Sequence, residues 1–441
     1  MSKCKKGETR LLNETHDGSR WSWVESANDT ATDFPLQNLP FGVFRHAGRL
    51  PCCGIAIGEH IFSPSLHLDL FSGAARDAAE ACASPDLSEL MSLGPDAWSA
   101  LRRQTFGMLA AGDPRHARIE PALVQRAAVE LLLPVRIGNF TDFFSSMFHA
   151  RNAGQLFRPD NPLFPNYKYV PVAYHGRASS IRASGSPVKR PNGQIVERGG
   201  PAVPVYKPSA QLDFEAELGM LIGTPTEAGE PVPIGEARRH IFGMCIVNDW
   251  SARDIQAWES QPLGPFLSKS FATTISPWMV TMAALEPFRI PVFDRAADDP
   301  APLPHLCDEE DQLHGGVSIM IETRLLTPKM RGDGVAAVRI SAGRLADSYW
   351  STAQMIAHHT CNGCNLESGD LIATGTLSGE EPESWGSLLE KTSGGRNAID
   401  LGNGESRTYL RDGDEIILSA RCEKSGYRRI GFGECRGVVV A

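Results

Sequence analysis

A chain of 441 residues with 42% hydrophobic and 22% charged residues can bury a large core, and its length suits two domains. Its net charge of −9 disfavours nucleic acid and anionic membranes as partners, and no apolar run approaches the ~20 residues that span a bilayer. The ten cysteines lack regular spacing, and no apolar stretch follows the basic start, so the expectation is a cytoplasmic protein with reduced, buried thiols and no secretory signal.

Residues 1–32 are polar and aperiodic and read as a loosely attached extension. Residues 33–134 read as a small N-terminal α+β domain. Short strands are expected at Gly42–Arg45 and Cys53–Gly58, and helices at Asp86–Met91, Ala97–Leu101 and Pro121–Leu133. The remainder, 135–441, is richer in polar chemistry and mainly β. Thr141–Ala150 reads as a helix opened by a Thr/Asp cap, with Asp142 and His149 on one face. A Gly/Pro-rich run to about Pro208 suits hairpins.

Gln211–Met220 alternates. Phe214, Ala216, Leu218 and Met220 fall on one face of a strand, and Asp213, Glu215 and Glu217 on the other. Carboxylates two apart on a strand lie roughly 7 Å apart. By itself that pattern is most simply a solvated acidic edge; with a cation between the carboxylates it is a binding site. Ile241–Val247 is a buried-strand run ending in Asn248-Asp249-Trp250. Ser251 caps a short helix that places Arg253 and Gln256 on one face. Lys269 stands in an otherwise apolar segment, either as an edge residue reaching solvent or as a functional cation. Residues 286–312 read as a surface loop, Tyr349–His359 as a helix, and strands follow the Gly-Asp turns at Gly369-Asp370 and Gly413-Asp414.

Asp142, Glu215, Glu217 and Asp249 thus form an oxygen-only donor set suited to Ca²⁺ or Mg²⁺, though spacing alone does not bring them together. Cys361-Asn362-Gly363-Cys364, preceded by His358-His359, is half of a zinc site or a redox pair. The sequence offers no second ligand pair at suitable spacing, and the pair follows a helix rather than opening one. Phosphate-binding loops, dinucleotide fingerprints and nucleophile elbows are absent.

Long motifs carry a resemblance. They are Asp33–Pro40, Thr141–Ser146 with His149, Tyr174–Ser180, Leu212–Glu217, Asn248–Gln256, Pro262–Ser270, Gly375–Gly379 and Asp400–Gly404. In this order the chain from 33 to 441 resembles the full-length, two-domain fumarylacetoacetase family. The resemblance implies an α+β, mainly β fold: a small SH3-like N-terminal domain and a C-terminal mixed β-sandwich roll, paired as a homodimer. It implies hydrolysis of 4-fumarylacetoacetate to fumarate and acetoacetate, the last step of phenylalanine and tyrosine breakdown. It further implies Ca²⁺ and/or Mg²⁺ held by Asp142, Glu215, Glu217 and Asp249.

By the same resemblance His149 is the general base for water and Glu390 its orienting acid, while Arg253, Gln256 and Lys269 stabilise the enolate. Lys269 also joins Asp249 and Thr273 at a second ion site. Arg158, Tyr174 and Thr376 match substrate-contact positions. Phe144 and Ser260 occupy two more, where the family pattern has tyrosines, and Ala272 replaces a glycine. Phe144 and Ser260 favour, as an alternative, a sibling hydrolase for another acylpyruvate or 2,4-diketo acid. A catalytically silent metal-binding scaffold is the reading from another class; the complete His149, Glu390 and Lys269 set stands against it.

Overall fold

The computed structural model describes residues 12–197 and 203–441. The N-terminal part builds an antiparallel five-stranded sheet in the order Val124–Gln125, His60–Phe62, Cys52–Ile57, Phe41–Arg45, Glu130–Leu131. The helices Ala74–Ala81, Ser88–Ser92 and Gly94–Leu109 cover it through Ala75, Ala78, Leu90, Leu101 and Phe106. The helix expected over Pro121–Leu133 is absent. That segment supplies the two outermost strands instead, its backbone pairing with His60 and Ile61 on one side and with Phe44 and Arg45 on the other. Pairing across the sheet has overridden a helical hydrophobic pattern.

The extension is not loose in its described part, 12–32; residues 1–11 lie outside the described residues. Thr15, His16, Val24 and Ala27 are buried. Arg102 of the long helix reaches Asn38 O and Gln37 O at 2.5 Å each and Thr15 Oγ1 at 3.2 Å. His16 Nε2 bonds Ala283 O in the second domain at 2.8 Å. The segment is thus anchored by a few buried residues and their hydrogen bonds to carbonyls, while its charged residues Glu14, Asp17, Arg20, Glu25 and Asp29 stay exposed.

Two large sheets frame the second domain, beside four two-stranded ones among the described residues. One is mixed and eight-stranded; its main path runs Ala173–Gly176, Phe140–Phe143, Leu371–Ala373, Ala216–Ile222, Ile241–Asp249, Thr273–Ile275, Ile181–Ala183. The other runs Val338–Arg344, Ile319–Leu326, Glu415–Cys422, Ile430–Val440, Val188–Lys189. Alternation along the central strands sorts their side chains between two cores. Leu218, Met220, Met244 and Ile246 meet Leu418 and Phe432 of the second sheet. Leu221, Cys245, Val247, Leu371 and Phe140, on the opposite face, join the core of the N-terminal domain. Strands buried on both faces need apolar residues at every position, which is how Ile241–Val247 reads.

That second face decides where the chemistry lies. Glu217 has the same strand parity as Leu221, Asp249 as Val247, and Asp142 as Phe140. Register confirms the neighbourhood: Glu217 opposes Val247, Asp142 opposes both Ala373 and Tyr174, and Asp249 opposes Thr273. One half of the face is sealed by the N-terminal domain, and the carboxylates occupy the other half. Both Gly-Asp turns are present, Gly369 and Gly413 taking φ of 93° and 86°, a region glycine enters without strain.

Candidate active site and metal centre

Asp142 does not share a helix with His149. It stands on the strand Phe140–Phe143, and the helix is Met147–Phe157, opened by Ser146, whose hydroxyl accepts the His149 N–H at 3.2 Å. Phe140 and Phe143 drop into two different cores, which needs the alternation of a strand. The cap is therefore Ser146 rather than Thr141 or Asp142. Gly375, at φ 75°, lets the loop after Leu371–Ala373 pass this strand; a Cβ there would lie 2.1 Å from Phe143 O.

Asp142, Glu215, Glu217 and Asp249 converge. Each is buried, and one carboxylate oxygen of each lies within 4.8 Å of one from every other. The solvated-edge reading of the acidic strand is thereby overturned. The four are not equivalent. Glu215 accepts from Lys269 Nζ at 2.6 Å and pairs with Arg253 Nη1 at 2.7 Å. Asp249 accepts from Tyr174 Oη at 2.5 Å, Thr273 Oγ1 at 2.8 Å and Lys269 Nζ at 2.9 Å. By contrast Asp142 Oδ1 and both Glu217 carboxylate oxygens are buried without a hydrogen-bond donor.

Electrostatics follow that division. Burial, then the Asp249 charge, holds the Asp142 carboxyl well above the usual range, and burial with the Asp142 charge does the same to Glu217. Burial pushes Glu215 up too, but Lys269 and Arg253 outweigh it and hold Glu215 below its ordinary value. Burial likewise pulls against the Lys269 charge, and Asp249 and Glu215 more than restore it. Lys269 is thus a buried, ion-paired cation on the short helix Leu267–Ser270, not an edge residue reaching solvent. A protonated ammonium has no lone pair to give a metal, so Lys269 and the Thr273 hydroxyl act beside Asp249 as charge and donor. Three orphaned carboxylate oxygens among four converging acids fit a hard divalent cation with oxygen ligands.

The expected single strand Gln211–Met220 is in fact two, Leu212–Asp213 and Ala216–Ile222, in different sheets, with Glu215 in the link between them. Asp213, the third acid of the stretch, is no ligand. Its oxygens accept the N–H groups of Phe214, Leu388 and Leu389 at 2.7–2.8 Å, and Oδ2 pairs with Arg253 Nε at 2.8 Å. It ties the acidic strand to the helix Leu388–Lys391, which carries Glu390.

Glu390 Oε2 lies 2.7 Å from His149 Nδ1. Ser378 Oγ and Ser387 Oγ donate to the same oxygen at 2.9 and 2.8 Å, and Asn152 Nδ2 donates to Oε1 at 3.0 Å. Burial pushes the Glu390 carboxyl up, but His149 and these donors leave it below its ordinary value. A carboxylate at Nδ1 selects the tautomer protonated there and makes Nε2 the basic nitrogen. Phe144 packs edge-on to the His149 ring, centroids 5.2 Å apart. Asn152, Ser378 and Ser387 escaped the sequence reading. Asn152 is three residues after His149, on its helix face. Ser387-Leu388-Leu389-Glu390 has capping-box spacing, but the structure spends the glutamate on His149 rather than on the cap N–H.

The remaining expected residues separate. Arg253 joins the ion-pair network and bonds Gln256 Oε1 at 3.0 Å, while its Nη2 is buried without a partner, as is Thr376 Oγ1. Both are donors in want of an oxygen. Tyr174 meets Asp249, and burial and that charge push its phenol well up. Ser260 bonds back to Gln256 O at 2.5 Å, at the end of its helix. Arg158 stacks on Phe164 at 4.0 Å and reaches Pro162 O, with no contact to the acids. Ala272 is buried behind the Lys269 helix.

A buried acid–base pair beside a hard-cation pocket, on a two-domain frame with curled sheets, defines the class: a hydrolase. Residues 140–440 match the fumarylacetoacetate (FAA) hydrolase C-terminal family, and residues 37–134 match the fumarylacetoacetase N-terminal family. The chain belongs to the fumarylacetoacetase family. It is 43% identical to the fumarylacetoacetases of Rattus norvegicus and of Homo sapiens, and 42% identical to that of Arabidopsis thaliana, in each case over 95% of this chain and 98% of the relative. Among solved structures, a fumarylacetoacetate hydrolase from psychrophilic Exiguobacterium antarcticum superposes with a TM-score of 0.51 at 19% identity, covering 91% of this chain and 99% of that one; this is likeness of fold.

Proposed function

We propose that this chain hydrolyses the carbon–carbon bond of 4-fumarylacetoacetate, giving fumarate and acetoacetate, as a cytoplasmic homodimeric enzyme of phenylalanine and tyrosine catabolism. The observation that carries the mechanism is the His149–Glu390 pair beside a pocket of orphaned carboxylate oxygens. The near full-length identity to fumarylacetoacetases supports the substrate. The reading keeps the SH3-like description of the N-terminal sheet and the mixed sandwich roll of the second domain, supported by the five-stranded meander and the two packed sheets.

His149 Nε2 takes a proton from water as the water oxygen bonds to the acyl carbon of the fumaryl group, the carbon that becomes the new carboxyl of fumarate. The bond from that carbon to the neighbouring methylene then breaks, its electron pair passing to the acetoacetyl half as an enolate. A proton returned to the methylene completes acetoacetate. Glu390 holds His149 in the tautomer that accepts and stabilises the imidazolium. Arg253, Gln256 and Lys269 face the developing enolate charge, and Thr376 and Tyr174 position the diketone. Asp142, Glu215, Glu217 and Asp249 would hold Ca²⁺ or Mg²⁺, which when bound supplies Lewis acidity toward the diketone oxygens. Thr273 and Lys269 support a second ion site with Asp249. Arg158, Ser260 and Phe144 complete the substrate contacts.

The test follows the diketone absorbance of fumarylacetoacetate with and without chelator. Turnover that falls at least tenfold on chelation and returns with Ca²⁺ or Mg²⁺ is expected. Unchanged turnover in chelator removes the metal from the mechanism. Turnover of a different 2,4-diketo acid with none on fumarylacetoacetate replaces the substrate with a sibling, the reading that Phe144 and Ser260 favour by removing two phenols.

A further inference from the structure

A second cluster of metal-ligating side chains lies outside the acidic centre, and its donors differ in kind. His305, His358 and Cys361 place one ring nitrogen each and the thiol within 4.8 Å of one another. His358 and Cys361 are three apart at the end of the helix Thr352–Thr360, so they share a face, and the Cys361 N–H closes that turn on His358 O at 3.3 Å. His305 comes from a distant part of the chain, the short turn Pro304–Leu306. That turn is anchored to the same helix. Leu306 is fully buried, and its carbonyl accepts Gln354 Nε2 at 2.9 Å. The third donor is therefore presented by fixed backbone, and sequence spacing could not reveal it.

We propose that His305, His358 and Cys361 form a metal site for a borderline-soft divalent ion of the zinc class, separate from the oxygen-ligand centre. Two imidazoles and a thiolate suit such an ion and suit Ca²⁺ or Mg²⁺ poorly. Tetrahedral zinc, with Zn–N of about 2.0–2.1 Å and Zn–S of about 2.3 Å, needs donors roughly 3.3–3.6 Å apart. The remaining approach is small, and His305 and Cys361 are exposed. The Nδ1 atom of His358 is shielded from solvent without a hydrogen-bond partner, the state of a donor atom awaiting a ligand. His359 points elsewhere, its Nε2 2.9 Å from Thr141 Oγ1, and takes no part. Nor does Cys364, whose thiol turns to the carbonyl of Asn365 at 3.5 Å. Three protein ligands leave the fourth position to water.

Cobalt(II) is the probe, because a bound thiolate gives it a near-ultraviolet charge-transfer band that oxygen ligands do not. The full chain, reduced and saturated with Ca²⁺ and Mg²⁺ to occupy the acidic centre, is titrated with Co²⁺. One equivalent should raise the thiolate band with tetrahedral visible bands, and Zn²⁺ should displace it. Cys361→Ser should abolish the band, His305→Ala should weaken Co²⁺ binding at least tenfold, and Cys364→Ser should leave both unchanged. Circular dichroism of each variant reports its fold. No thiolate band in the native chain overturns the proposal, as does a band that survives His305→Ala at full affinity or disappears with Cys364→Ser.

Discussion

At the scale of single residues, the donors around Glu390 explain why one carboxylate serves as an orienter while others await a cation. Four donors, counting His149, satisfy Glu390; Asp142 Oδ1 and both oxygens of Glu217 have none. His149→Ala should lower kcat by about 10²–10⁴-fold with Ca²⁺ binding retained, measured by steady-state turnover beside calorimetry. Glu390→Gln should lower kcat at least ~10²-fold, since an amide no longer demands a proton on Nδ1. Substantial activity in either variant moves the base elsewhere. Asp311 carries a different prediction. Burial, only partly offset by the Ser351 hydroxyl, pushes its carboxyl up to about 6. The folded state therefore holds a proton that the unfolded chain releases from about pH 4, so this residue's contribution falls as pH rises from about 4 to 6. The amount is about 2–3 kcal/mol. Asp311→Asn should flatten denaturant stability across that window, and an unchanged pH slope would remove the assignment.

At the scale of elements, the acidic stretch, two short strands and their link, does two jobs. Glu215 and Glu217 enter the pocket, while Asp213 accepts the first N–H groups of the Glu390 helix and the Arg253 guanidinium. Removing Asp213 leaves the buried N–H groups of Phe214, Leu388 and Leu389 without an acceptor and takes from the buried Arg253 guanidinium one of its two carboxylates, each costly in a low-dielectric interior. Asp213→Ala should lose about 3–5 kcal/mol by denaturant unfolding and most turnover, with Asp213→Asn intermediate. Full activity in Asp213→Ala would show that the helix holds Glu390 unaided. The helix expected at Thr141–Ala150 failed for a reason of the same scale: ten residues contained a strand end and a helix start, and their summed pattern imitates one helix.

At the scale of the molecule, the N-terminal domain packs into the second domain and is not an appendage. It shares a core with the face of the large sheet that carries the carboxylates. The Asp33–Pro40 motif clasps the domains: Asn38 bonds Gly431 O at 2.7 Å, Asp33 pairs with Arg429, and Phe34 packs on Trp278. Arg102 fastens the 12–32 segment to this clasp. Arg102→Met should cost about 2–4 kcal/mol, read as a lower Tm, with faster proteolysis before residue 33 and kcat unchanged at low temperature. An unaltered Tm would mean the segment is held by its apolar contacts alone. No described helix is long and apolar enough to cross a membrane.

The sequence by itself carried the alternation of Gln211–Met220, the buried strand ending at Asp249, the Gly-Asp turns and the run of family motifs, because periodicity and turn chemistry are local. It also offered the four acids as an oxygen-only donor set, while Glu390 and the role of His149 came only through the family resemblance. Convergence was decided by the tertiary structure. Strand register places Asp142, Glu217 and Asp249 on one face, and burial turns a solvated-looking edge into unpartnered oxygens. The division between Asp213 as strut and Glu215 and Glu217 as candidate ligands was likewise set by partners distant in the chain. So was the meeting of His305 with His358 and Cys361. Burial and long-range pairing set the charge state and role of a polar group, and neither can be read from residue spacing.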